Sequence, residues 1–88
     1  MLKRHLIVLR KVMEYGPIGI MKVSMEADIP GHKARYSLRV LEHAGLIEPT
    51  QQGALATSRA DDFMKKLTLQ LAELEVMLEE LKQMGEQR

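Results

Sequence analysis

The sequence predicts a mainly α protein with one small β-hairpin, and three observations lead to that class. Apolar residues recur at three- and four-residue spacing through most of the chain. Between residues 46 and 57 that spacing gives way to two short extended runs around Gln51-Gln52-Gly53. Beyond them, no helix breaker occurs until Gly85.

In chain order, Leu2, Leu6, Leu9 and Met13, widened by Ile7, Val8 and Val12, form the stripe of a first helix from Leu2 to Tyr15, stopped by Gly16-Pro17. The stretch PIGI, 17–20, is an extended link or a very short strand. Ile20, Val23 and Ala27, with Met21 and Met25 beside them, mark a brief second helix ending near Asp28. In DIPG, Pro30 biases Ile29 away from the α region and itself suits a helix start. A third helix therefore runs to Ala44, where Gly45 can close it in a left-handed cap. LIEPT and ALAT then make the hairpin, and Pro49 assigns the first run to a sheet edge because proline has no N–H to give a ladder. Thr57 or Ser58 supplies an N-cap oxygen to the fourth helix, with Asp61 and Asp62 in its first turn, where the helix dipole favours anions. That helix spans roughly 27 residues, or ~40 Å, too long to be covered by so small a body.

Along it, Met64, Leu67, Leu71, Leu74, Leu78 and Leu81 alternate steps of three and four, a heptad seam broadened by Met77, Met84, Leu69 and Val76. A leucine seam on a helix that outruns its domain calls for a partner helix, and a second copy of the chain is the simplest one. These six residues are the expected dimerisation contacts. The flanking charges follow no clean code, so parallel and antiparallel pairing both stay open. The expected organisation is a folded domain over 1–59 and a coiled-coil dimerisation helix over 60–88.

Composition narrows the function. The 88 residues include one Phe, two Tyr and no Trp, so the core must be built from aliphatic side chains and Met; a core this thin gains from burial against a second copy. The absence of cysteine excludes disulfides, thiolate metal sites and cysteine nucleophiles. The longest apolar run, LIVL at 6–9, is far short of the ~20 residues that span a bilayer, and no secretory signal fits, so a soluble cytoplasmic protein with no membrane role is expected. Ser24, Ser37 and Ser58 lack a nucleophile context and no glycine-rich phosphate loop occurs, which argues against an enzyme. His32 and His43 lie about 16 Å apart along a helix and cannot share an ion, and His5 adds no motif spacing, so neither metal nor cofactor is expected.

Charge is uneven. Residues 1–59 hold nine Lys or Arg against five acids, and residues 60–88 hold four against seven. A polyanion would meet the front of the molecule. On the third helix, Ala34, Leu38 and Leu41 turn inward, whereas His32, Tyr36, Arg39 and His43 lie opposite, flanked by Lys33 and Arg35. The outward stripe is basic and aromatic.

The segment VSMEADIPGHKARYSLRVLE, 23–42, resembles the helix-turn-helix motif: Val23 and Ala27 face inward on its first helix, Ile29 is the buried aliphatic after the turn, and Leu38 and Leu41 pack its second helix. Asp28 stands where that family usually has glycine, and Asp tolerates positive φ better than most residues with a Cβ. SLRVLEHAGLIEPTQQGALATSRADDFMKKL is similar to the winged-helix continuation, with its LExxGLI ending, hairpin wing and following helix. Over residues 5 to about 67, the chain resembles the winged helix-turn-helix domain of small bacterial and archaeal transcription regulators.

The resemblance implies that the third helix is a recognition helix that enters the major groove of double-stranded DNA. His32, Lys33, Arg35 and Tyr36 would then reach the groove, and Arg39 base or backbone. The wing tip departs from the usual Lys or Arg: Gln51 and Gln52 can hydrogen-bond DNA but release no counterions, and Arg59 just beyond the hairpin is the candidate for the missing charge. The expected function is thus a dimeric, sequence-specific DNA-binding regulator of transcription. The alternative is a winged helix used for protein–protein contact in a larger nucleic-acid-processing assembly, which the uncharged wing tip and the near-zero net charge favour.

Overall fold

The structure is a computed structural model that describes residues 2–86. Its elements follow the order α1 (Leu2–Tyr15), α2 (Ile20–Ala27), α3 (Gly31–His43), β1 (Ile47–Thr50), β2 (Gly53–Ala56) and α4 (Ser58–Glu86). The protein is mainly helical, with a two-stranded antiparallel hairpin and a long C-terminal helix. Three helices and the hairpin enclose one core: Val8, Leu9 and Val12 of α1, Ile18, Val23 of α2, Ala34, Leu38 and Leu41 of α3, then Leu46, Ile47 and Ala60.

The turns that set these helices at angles are made by single residues. Asp28 lies in the left-handed region (φ 54°, ψ 52°) and closes α2, with the Ile29 N–H donating to Ser24 O at 3.1 Å. The Ser24 hydroxyl returns a bond to the Ile29 carbonyl. Gly45 (φ 78°) closes α3 in the same way, with the Leu46 N–H donating to Leu41 O at 3.0 Å. Both are Schellman-type endings, which satisfy carbonyls the helix leaves open.

In the hairpin, Ile47 pairs with Ala56, Glu48 with Leu55, Pro49 with Ala54 and Thr50 with Gly53. The PIGI stretch proves to be a one-residue strand: Ile18 bridges Ala54 on the far side of β2, exchanging N–H···O bonds of 3.0 and 2.8 Å. β2 is therefore central and β1 is the edge. Since the N–H and C=O of Ala54 both turn toward Ile18, its opposite number Pro49 sits in a non-bonded pair, where its missing N–H costs no ladder bond.

Three details at α4 differ from the sequence expectation. Thr57 does not lend its side-chain oxygen to the helix start; its hydroxyl instead donates to Gly45 O at 2.7 Å, with Leu46 O at 3.2 Å, and ties the end of α3 to the start of α4. Gly85 does not end the helix, which continues to Glu86; one glycine costs about 1 kcal/mol in a helix and does not by itself break it. The first turns of α4 also belong to the body: Ala60 is buried, and Phe63 and Met64 pack against the core. Beyond Leu67 every described side chain of the helix is exposed. This bare arm gives the molecule its 59 × 27 × 19 Å extents.

Candidate nucleic-acid interface

α3 is held by one face. Ala34, Ser37, Leu38 and Leu41 are buried, so the helical period turns Arg35, Tyr36, Arg39 and His43 outward, along with His32 and Lys33 in the first turn. Across a groove of about 520 Å³ stands the hairpin. Ile18, Leu38, Ile47 and Pro49 form its apolar floor, Arg35 and Arg39 rise on the α3 side, and Gln51 and Gln52 close the hairpin side. Glu42 lies at the same wall. Four of the eight sequence-predicted contacts thus share one concave surface, formed because Ile18 ties β2 to the body and so fixes the hairpin beside α3.

The other four are distributed around it. His32 lies next to Arg35 in a shallow apolar recess made with Met21 and Met25 of α2. Lys33 turns to the opposite flank, where it shares a cleft with Lys3 and Arg4 of α1. Tyr36, 46% exposed, rests one side on α1: its ring centroid is 5.6 Å from that of His5, with the planes tilted by 48°. Arg59 extends over Gly45 at the foot of the hairpin, beside Asp62 and Phe63. The tip lies three register pairs away, roughly 10 Å along the strands.

Below Tyr36 is a polar contact that a helical wheel of α3 alone does not reveal. Ser37 is fully buried, and its hydroxyl lies 2.7 Å from His5 Nδ1, with Arg4 Nε at 3.4 Å. Arg4 can only donate; the neutral His5 ring accepts the Ser37 proton when its own proton is on Nε2 and donates to the hydroxyl when Nδ1 carries it. Desolvation, followed by the nearby charge of Arg4, lowers the His5 pKa from its ordinary value, in keeping with that neutral form. The contact locks α1 to α3 and orients the segment that carries Lys3 and Arg4. Those two cations were legible as charges, but their place beside Lys33 depends on how α1 packs.

Among the described residues, no group of His, Cys, Asp or Glu could hold a metal ion, and no helix is long and apolar enough to cross a membrane.

No family model and no curated sequence matches the chain. Among solved structures, the fold is similar to the activation domain of the phage T4 transcription factor MotA, at 21% identity and a TM-score of 0.65, covering 83% of this chain and 81% of that one. At this identity the likeness is one of fold.

Proposed function

We propose that the protein is a dimeric winged-helix regulator of transcription that reads double-stranded DNA with α3. The observation that carries this reading is the groove that sets Arg35 and Arg39 opposite Gln51 and Gln52. The basic side chains of α3 are exposed, as contact with a major groove requires. Arg35 and Arg39 suit guanine edges or phosphates, His32 and Tyr36 extend the contact along the helix, and Lys33, joined by Lys3 and Arg4, suits the backbone on one flank. Gln51 and Gln52 add hydrogen bonds without charge, and Arg59 serves the backbone near the C-terminal end of α3. Residues 1–59 supply the DNA-binding part, and the helix from residue 60 onward pairs two copies through Leu67, Leu71, Leu74, Leu78 and Leu81. Met64, the first position of that seam, divides its contacts between its own core and the partner. The fold likeness to a domain of a phage transcription factor supports the general class.

Selection of bound duplexes from a random pool tests the proposal. Enrichment of a two-fold symmetric motif is the expected result, and a pool with no enriched sequence would overturn it.

A second reading is favoured by the same groove's apolar floor and by the uncharged hairpin tip: a docking site for a protein segment within a transcription assembly. The structural neighbour's description as an activation domain fits that reading as well. Absence of salt-dependent DNA binding at low ionic strength would make it the better of the two.

A further inference from the structure

We propose that the groove beside α3 continues onto α2 and takes an acidic amphipathic helix of a partner protein, with Met21 and Met25 as its apolar contacts there. The inference rests on the second reading above, and adds the extent of the site and the chemistry of the segment that fills it.

The extent follows from shared walls. The groove that faces the hairpin and the recess of about 460 Å³ between α2 and the start of α3 have Ile20 and Arg35 in common. Together they form one trough that follows α3 from Gly31 to Glu42, roughly 16 Å of helix axis. Its lining is mainly apolar, from Leu38, Ile47 and Pro49 at the hairpin end to Ile20, Met21 and Met25 at the other. Met21 and Met25, four residues apart on one face of α2, are 81 and 78% exposed, the barest large apolar side chains among the described residues. Leaving them in water has a cost that a partner removes, and flexible thioethers adapt to the side chains of a docked helix.

The chemistry follows from charge and from what the walls lack. Arg35 stands where the two recesses meet and Arg39 one turn further on, so acidic side chains of a partner find two guanidiniums along the middle of an apolar track. Glu42 marks the end where no acid is wanted. DNA fits the α2 half less well, because a phosphate backbone there calls for cations. Lys22, the one cation of α2, turns to α1 instead, with its Nζ 5.2 Å from the centre of the Tyr15 ring. A strand fits less well too. The α2 and α3 backbones are paired within their own helices, and Pro49 leaves the β1 edge without a donor at its centre. A helix needs no backbone partner, and apolar residues at i, i+4 and i+7 on a segment of about three turns match the length of the trough.

Both methionines are exposed, so Met21→Gln with Met25→Gln removes the apolar contacts while keeping helix-forming side chains, and circular dichroism checks the fold. A displayed library of random peptides of about 16 residues, panned on the full-length native protein, should enrich sequences with helically spaced apolar residues and acids beside them. The enriched peptide, titrated by fluorescence anisotropy, should bind the glutamine variant and an Arg35→Glu, Arg39→Glu variant at least about tenfold more weakly. Replacing its acids with lysine should restore binding to the charge-reversed variant. Enriched peptides without acids, or with equal affinity for the glutamine variant, would overturn the inference and leave a docking groove at the hairpin alone. No enriched peptide would overturn the docking reading as a whole, and duplex binding that falls with the methionine substitutions would then assign the trough to DNA.

Discussion

Asp28 and Gly45 do equivalent work, each turning the chain through a left-handed residue so that the next element can pack. Both were legible in the sequence, because tolerance of positive φ is a property of the residue itself, greatest in Gly and better in Asp than in most others, and needs no knowledge of neighbours. Gly53 is a stricter case: its φ is 128°, and a Cβ there would collide with the Ile18 carbonyl that ties the hairpin to the body. Gly53→Ala is expected to cost about 1–3 kcal/mol in thermal or denaturant unfolding, and a neutral result would mean that the bridge to Ile18 is dispensable. Ser37 was not legible in this way. Its burial and its bond to His5 are created by the approach of α1, so no pattern within α3 announces them. The pair has a pH signature. The folded state holds the His5 pKa below its unfolded value near 6.5, so the unfolded chain takes up the proton first as pH falls, and stability declines from neutral pH until the folded ring also protonates. Denaturant melts at pH 7.5 and 5.5 should show that loss, and His5→Gln should reduce it; an unchanged loss in the variant would assign it to other groups.

The hairpin and α4 show how far element-level patterns reach. Pro49 identified the edge strand correctly, since a residue without an N–H fits only where the ladder is open. The hairpin's seat beside α3 depends on Ile18, whose single bridge is too short to leave a sequence period. In α4 the leucine seam was plain, but the point at which the body stops covering it was not, because Ala60, Phe63 and Met64 continue the same apolar spacing. This matters for experiment: removing the chain from Met64 onward would take away a core contact as well as the seam, so point substitutions are the cleaner probe. Leu74→Lys with Leu78→Lys places charge on the proposed interface and touches nothing in the core. Light scattering should then give a monomer whose circular dichroism still reports a folded body. A dimer that survives the substitutions would move the interface elsewhere.

The molecule as a whole is a small basic body on an acidic arm, 59 Å in its longest dimension. Its net charge of +1 conceals this division, which places cations where α3 and the hairpin form a groove and an excess of acids along the exposed helix. Binding itself is most directly tested by fluorescence anisotropy of a labelled duplex titrated across salt concentrations, with the native protein and an Arg35→Ala, Arg39→Ala variant compared. The native protein should bind with an affinity that falls steeply with salt, and the variant should bind more weakly, with a log–log slope shallower by up to about 1.8 if both arginines meet phosphate. A native protein that shows no salt-dependent binding at low ionic strength, or a variant that binds as the native protein does, would contradict the assignment of α3 as the DNA-reading helix.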